Sequence, residues 1–407
     1  MASKATGPAI NGPGNRHCRS WIERFIDYTS NLEAPEIWRK WSAISMIAAT
    51  LEQKVWADTG GNLYPNLYVF LVGQPGMGKS RSIMAASNLI REALPEIFFG
   101  ATSMTRASLS DYMNEAKRII TKYPPPAIEY NSLVAIADEF SAFMHEYDSA
   151  LVAALVEFYD VNPYSEGRRV SNIRIKIPRP QLNLLTGSTP SNLIHTLKDY
   201  VWDQGLMSRV IMVHSNERPI IDVFNEPRKE KPVDLFHDIK VINTIVGKFE
   251  ATKAFGEAMH NWKLVKYSPE PTHPKLKHYC TRRWTHLVKL AMVASIDRGN
   301  DLTLTVEDFN TAMTWLLEAE FTMSSIFKEG SIVPDSRTMD EVAHMVKEKG
   351  TVSEHLIRNF LRERVPAMHI DYIMKAMESS RIIVPVKVDH VTGLKLFGVP
   401  AQQQTST

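Results

Sequence analysis

Eight consecutive residues, Gly73-Gln74-Pro75-Gly76-Met77-Gly78-Lys79-Ser80, follow the pattern G-x-x-x-x-G-K-[ST] without a gap. Such a loop turns tightly around phosphate groups with its N–H groups pointing inward, so glycine is needed at its corners. Lys79 is then expected to reach the β- and γ-phosphates of ATP, and the Ser80 hydroxyl to ligate Mg²⁺. A helix opening at this point adds the positive end of its dipole. By average residue usage the pattern arises by chance in about one or two of every hundred chains this long. The competing reading is a glycine-rich surface turn. Context argues against it: apolar Leu67–Val72 runs straight in, and a helical pattern from Lys79 to Glu92 runs straight out.

Phosphoryl chemistry needs a second, acidic element at the end of a neighbouring strand. Leu133-Val-Ala-Ile-Ala ends in Asp138-Glu139, 59 residues after Lys79, which leaves room for an intervening helix, strand and helix. Asp138 would hold the Mg²⁺ shell through water. Glu139 would polarise the attacking water, a role that requires hydrogen-bond reach. The plain alternative is a strand end followed by a helix cap, where Asp is common. A further strand, Leu182–Leu185, runs into Thr186-Gly187-Ser188-Thr189-Pro190. In P-loop motors the strand beside the acidic one ends in a polar residue that senses the γ-phosphate. Thr189 is the candidate here, with Ser188 behind it, although polar strand ends are commonly turn formers. Gly205-Leu-Met-Ser-Arg209 precedes the strand Val210–Val213. Arg209 could project to a subunit edge as an arginine finger for a neighbour's γ-phosphate, or pair with a carboxylate such as Asp203. The first reading makes the active site a property of an oligomer.

These residues need a scaffold, and the pattern along the chain supplies one. Helical spacing of Trp21, Phe25, Ile26, Ile37, Trp41, Ile44, Ile47 and Leu51 predicts two helices broken near Ser30–Pro35. A helix is expected around Ala107–Ile120, a break at Pro124–Pro126, and a helix at Ala150–Tyr159. Alternating strands and helices imply an α/β fold with a doubly wound parallel sheet. From 235 to 328 the signals are helical, with Trp284–Ile296 and Val306–Phe327 the longest. The last 70 residues predict three short helices and a hairpin turning at Asp389–Gly393, the layout of a winged helix. The expected division is a tail (1–16), an N-terminal helical region (17–60), an ATPase core (61–217), a helical lid (218–330), a winged-helix-like domain (331–400) and a second tail (401–407).

Taken together, the loop lysine, Asp138-Glu139, the Thr189-Pro190 strand end and Gly205–Arg209 resemble the AAA+ ATPases. The spelling is closer to a phage- and plasmid-borne family of helicase-like ATPases often fused or adjacent to primases. That resemblance rests on Trp41-Ser-Ala-Ile-Ser45, Tyr64-Pro-Asn-Leu-Tyr-Val69, Tyr159-Asp160, Gly187–Pro190 and Gly205–Arg209, and covers about residues 20–330. The same motif order is similar to the minichromosome maintenance and viral superfamily 3 helicases. The resemblance implies a P-loop AAA+ core with a helical lid and a ring, hexameric in this reading. It also implies a hairpin that grips DNA between the acidic and polar strands. Residues 161–180 carry Arg168, Arg169, Arg174, Lys176 and Arg179 against Glu166, a local +4. Alternation at Val170, Ile173, Ile175 and Ile177 fits a two-stranded ribbon. Arg168, Arg169, Arg174 and Lys176 would then meet backbone phosphate without regard to sequence; the alternative is a solvated basic loop. Arg282 or Arg283 resembles a second sensor arginine. No primase module precedes the motifs, which suggests a stand-alone motor or one partnered with a separate primase or polymerase.

Composition bounds these expectations. The 407 residues carry 47 Lys+Arg against 45 Asp+Glu, so no global field draws in an anionic partner. Two cysteines, Cys18 and Cys280, cannot build a disulfide framework, which fits a reducing cytoplasm. No apolar run of 18 residues exists to span a membrane. The thirteen histidines show no metal-ligand spacing. Residues 331–400 hold ten Lys/Arg and nine Asp/Glu, so the C-terminal domain is as suited to protein docking as to DNA. The reading that follows is an Mg-ATP-dependent ring helicase or translocase in phage or mobile-element DNA replication. A helicase loader or replication initiator, and a nucleotide-gated DNA-binding module, are the alternatives.

Overall fold

The computed structural model describes residues 16–120, 127–144, 148–168, 173–197, 205–221, 230–299, 301–330, 334–362, 364–365, 367–388 and 395–400. Arg169, Val170, Asp203, Pro124–Pro126 and the turn Asp389–Gly393 lie outside them, as do the end segments 1–15 and 401–407. The chain divides into two compact units, Met1–Phe327 and Lys328–Thr407.

The first unit opens with α1 (Trp21–Tyr28) and α2 (Glu36–Leu51), the two expected helices. The first N–H groups of a helix lack partners within it. In α1 they are met by Ser20, which accepts from Glu23, and by the buried carboxylate of Asp297. Asp297 accepts from Trp21 and Ile22 at 2.8 and 3.0 Å. After a hairpin of β1 (Val55–Asp58) and β2 (Asn62–Leu63) comes β3 (Tyr68–Val72), five consecutive buried residues. An unbroken apolar run of this kind marks a parallel strand covered on both faces. It leads through the glycine-rich loop to α3 (Lys79–Ala93).

Next are α4 (Arg106–Glu115), β4 (Lys117–Ile120), β5 (Ile128–Ala137), α5 (Phe140–Phe143) and α6 (Ser149–Asp160). A ribbon of β6 (Tyr164–Arg168) and β7 (Ile173–Ile177) follows, then β8 (Pro180–Ser188), α7 (Pro190–Thr196) and β9 (Val210–His214). The main sheet runs β4-β5-β8-β3-β9. Strands β5, β8, β3 and β9 are mutually parallel, and β4 is an antiparallel edge. The helix expected to reach Ile120 therefore stops at Glu115. Its Thr105–Ser108 capping box starts it, and beyond Ala116 the burial alternates, with Ile119 exposed and Ile120 buried, the period of a half-covered strand. Helices α2 and α3 pack on each other and on β8, α2 also packs on β3, and α6 packs on β8.

The segment read as purely helical contributes a second sheet. Its elements are α8 (Val233–Asn243), β10 (Gly247–Ala251), α9 (Lys253–Leu264), α10 (Lys277–Cys280), α11 (Arg283–Arg298), β11 (Thr303–Leu304), α12 (Val306–Phe321) and α13 (Met323–Gly330). The sheet order is β11-β10-β1-β2, with Val55 opposite Gly247. Strands of two to five residues show almost no periodicity, and their partners are far apart in sequence. The expected single helix Val306–Phe327 breaks at Thr322, whose hydroxyl donates to His214 O at 2.8 Å. N-terminal helices, sheet and lid share one core from Trp21 to Phe327, so the boundaries expected at 60 and 217 do not separate compact bodies.

The second unit consists of α14 (Pro334–Lys349), β12 (Val352–Ser353), α15 (Glu354–Arg362), α16 (Ala367–Ser379), β13 (Val384–Val388) and β14 (Lys395–Gly398). Its antiparallel sheet runs β12-β14-β13 over a separate core of Val342, Ile357, Leu361, Ile373 and Phe397. Among the described residues, no helix is long and apolar enough to cross a membrane.

Candidate functional site

The loop between β3 and α3 is shaped by its glycines. Gly76 and Gly78 have φ of 79° and 91°, in the left-handed region that other residues avoid. A Cβ on Gly78 would also overlap the Glu33 carbonyl oxygen, and one on Gly73 would lie 2.6 Å from the Trp38 ring. The α1–α2 connection and the first turns of α2 thus form a wall against which only a side-chain-free loop fits. Trp38 is itself held, its indole N–H donating to Val213 O at 3.0 Å. Gly78 caps α3 without a side-chain hydrogen bond, which leaves the first-turn N–H groups open to an anion. Lys79, the first residue of α3, is buried and donates from Nζ to Gly73 O at 2.5 Å and Gln74 O at 2.9 Å. Burial lowers its pKa, opposed by the nearby Glu139 carboxylate.

The strand order assembles the rest. Because β8 lies between β3 and β5, its polar end sits between the loop and the acidic pair. Gly187 makes this possible: a Cβ there would be 2.5 Å from Asp138 O and 3.5 Å from Lys79 Cβ. The Ser188 hydroxyl donates to Glu139 Oε1 at 3.0 Å, and Asn192 Nδ2 donates to the same oxygen at 3.5 Å. Asp138 is exposed and Glu139 half-buried at the start of α5. Thr189, the sequence candidate, is used differently: its hydroxyl accepts from Asn192 N at 3.1 Å and caps α7. Ser188, and not Thr189, is the hydroxyl that faces Glu139, and Asn192 reaches the same oxygen. The sequence signal for Asn192 was its place three residues past the cap, one turn into a helix that Pro190 starts. Ser80, on the first turn of α3, and Asp138 are oxygen donors of the kind a hard cation such as Mg²⁺ selects.

The arginines divide sharply. Arg209 was expected at an edge; instead it is buried, its guanidinium donating to Gly205 O at 2.7 Å and pairing with Asp160 at the end of α6. The carboxylate partner is thus Asp160. Arg282 reaches the other oxygen of Asp160 at 3.1 Å. Burial works against the Asp160 charge, but the two guanidiniums outweigh it and hold the carboxyl below its usual range. Arg283 is fully buried and forms a two-pronged pair with Glu320, both bonds 2.7 Å, while also donating to Tyr267 O and Pro269 O. A nucleotide-sensing role assigned to Arg283 does not fit a guanidinium so enclosed; Arg282 is half-exposed beside Arg209.

His286 and Lys289 lie buried along one stripe of α11, in line with Arg282 at its N-cap. The His286 ring bonds Ser208 O at 3.0 Å, one residue before Arg209. Burial pushes its pKa down to about 3. Lys289 donates to Asn66 O and Oδ1 at 2.9 and 2.7 Å and lies 4.0 Å over the Tyr159 ring. A polar seam therefore joins α11, the end of α6, the approach to β3 and the Arg209 turn.

On the ribbon, three of the four expected phosphate contacts, Arg168, Arg174 and Lys176, are among the described residues, and they separate. Arg168 is bound to Glu166 at 2.8 Å, Asp111 at 2.9 Å and Ala107 O at 2.7 Å, and so staples the ribbon to α4. Arg174 and Lys176 point outward, opposite Gly167 and Ser165, while Ile175 and Ile177 are buried. Among the described residues neither Arg174 nor Lys176 has an ion-pair partner.

A comparison with protein-family models finds none that matches this chain, and a search of curated proteins finds no significantly similar sequence.

Proposed function

We propose that this protein is an Mg²⁺-dependent ATPase of the P-loop AAA+ kind that works as an oligomeric, hexameric DNA helicase or translocase. The observation that carries the reading is the position of β8 between β3 and β5, which gathers Lys79, Asp138, Glu139 and Ser188 at one edge of a parallel sheet. Bound Mg²⁺-ATP would supply the reactive phosphoanhydride. Gly73–Gly78 and the α3 N-terminus cradle its phosphates through backbone N–H groups. Lys79 would exchange its two carbonyl partners for phosphate oxygens, while Ser80 and Asp138 would hold the cation. Glu139, steadied by Ser188 and Asn192, orients and deprotonates the attacking water. Arg282 serves a neighbouring subunit's phosphate by giving up Asp160, which the buried Arg209 continues to hold. Arg174 and Lys176 on the ribbon contact the DNA backbone. The three helices and three-stranded sheet of the second unit support the winged-helix reading.

The test compares parent and Glu139→Gln on a forked duplex. The expected result is unaltered ATP binding, hydrolysis slowed by about 100-fold or more, and no strand separation. Unwinding by the variant at the parental rate would overturn the assignment. If the parent hydrolyses ATP on single-stranded DNA without opening a fork, the protein is a loader or initiator. Negligible turnover with ATP-switched DNA binding identifies a nucleotide-gated module.

A further inference from the structure

The first turn of α3 carries two cations on opposite sides. Lys79 is buried toward β8, where a Cβ on Gly187 would lie 3.5 Å from its own Cβ. Arg81 comes two residues later, and at about 100° per residue it projects from the far side of the turn. Its guanidinium donates from Nη1 to Glu33 Oε2 at 2.9 Å, and among the described residues that carboxylate is its one partner. Both side chains are well exposed, 58% and 43%. Glu33 belongs to the α1–α2 connection, and its carbonyl oxygen is the atom that a Cβ on Gly78 would overlap. The pair therefore bridges α3 to the wall of the glycine-rich loop. Beyond it the two elements part around a cleft of about 540 Å³, bordered by Thr29, Asn31 and Leu32 on one side and Ala85, Asn88 and Glu92 on the other. The Arg81 guanidinium thus borders open space.

Folding alone does not explain a cation in this place. The N-terminal end of a helix is its positive end and disfavours Lys and Arg. The first turn of α3 nevertheless holds Lys79 and Arg81 and no acidic residue. An exposed ion pair such as Arg81–Glu33 adds little stability and is readily exchanged. Both costs are recovered once an anion occupies the turn. We propose that Arg81 is a nucleotide-binding residue that leaves Glu33 for the phosphate nearest the sugar, with Glu33 as the anion that competes for it. The assignment rests on reading Gly73–Ser80 as a nucleotide-phosphate loop. Lys79, on the inner side of the turn, faces the acidic edge of the sheet and takes the terminal phosphates. The outer cation is left with the phosphate that ATP and ADP share. A guanidinium suits this exchange, because its parallel N–H donors match phosphate as well as carboxylate. Only one Arg81 nitrogen is engaged by Glu33.

The experiment is calorimetric titration of the full chain with ATP and with ADP, in the absence of DNA. It compares the parent with Arg81→Ala, Arg81→Gln, Lys79→Ala and Glu33→Gln, and circular dichroism verifies that each is folded. Arg81→Ala should weaken ATP and ADP equally, each by about ten-fold, the size of one charge-assisted hydrogen bond. Arg81→Gln, which keeps the side-chain length without the charge, should behave the same way. Lys79→Ala should instead cost ATP more than ADP. Glu33→Gln should tighten both by about three-fold, the size of an exposed ion pair given up. Parental affinity for both nucleotides in the Arg81 variants, or a loss confined to ATP, overturns the assignment of Arg81. Unchanged or weaker binding in Glu33→Gln overturns the competition. A parent that binds neither nucleotide overturns the reading of the loop itself, a failure that shows before any substitution is made.

Discussion

Arg282 and Arg283 are neighbours in sequence, yet truncating each should have opposite consequences. Arg283→Ala removes the guanidinium from a fully buried pair and strands Glu320, leaving the Tyr279 hydroxyl as its partner at 2.9 Å, with the carbonyls of Tyr267 and Pro269 also uncovered. Breaking one half of a buried ion pair costs about 3–5 kcal/mol, because the remaining charge has neither water nor partner. Arg282→Ala leaves Asp160 paired with Arg209, and the Arg282 side chain is 31% exposed, so its loss costs at most about 1 kcal/mol. Taking the low end of the usual conversion for large domains, about 2 °C per kcal/mol, Arg283→Ala should melt roughly 6–10 °C below the parent and Arg282→Ala within about 2 °C. Thermal and urea unfolding measure this, with ATP binding recorded well below both transitions. Arg283→Ala should bind ATP like the parent there. Replacing the whole pair, as Arg283→Met with Glu320→Leu, should recover most of the lost stability, since well-packed apolar substitutes for a buried pair are close to neutral. An Arg283→Ala protein that melts with the parent but loses nucleotide affinity would refute the reasoning.

Other outcomes follow from the same geometry. Gly78→Ala meets both a positive φ and the Glu33 carbonyl, so it should abolish ATP binding in a folded protein, read by calorimetry, whereas Gly167→Ala faces open space and should be silent. The His286 ring, with its pKa pushed from 6.5 to about 3 by burial, takes up a proton on unfolding. Stability should be full above pH 6.5 and fall toward pH 3, by at most about 1.4 kcal/mol per pH unit. Urea unfolding of His286→Gln between pH 6.5 and 4.5 should show a flatter profile; an unchanged slope would refute this. Replacing Arg174 and Lys176 by Ala should reduce the salt slope of single-stranded DNA binding by about 1.5, measured by anisotropy, while Arg168→Ala should instead loosen the ribbon from α4.

Several features could be read directly from the chain because their causes are local. Gly73–Ser80 is contiguous, and its glycines answer to backbone angles and close neighbours that no other residue tolerates. The runs Tyr68–Val72 and Leu133–Ala137 are strands buried on both faces, and a continuous apolar stretch says so without knowledge of the partner. Other features depend on which segments meet. The spelling Ser188-Thr189 does not say which hydroxyl faces Glu139; that follows from Thr189 being consumed as the cap of α7. Arg168, Arg174 and Lys176 are alike in type, and only the packing of the ribbon on α4 separates the bound cation from the two that are exposed. Likewise Asp160 as the partner of both Arg209 and Arg282, the sheet joining β1 to β10, and Glu33 beside Arg81 all pair residues widely separated in the chain. Spacing along a segment determines the chemistry that segment can offer. Burial and long-range pairing determine which of those groups remain available to use it, because a charge taken out of water must find its partner in the folded protein.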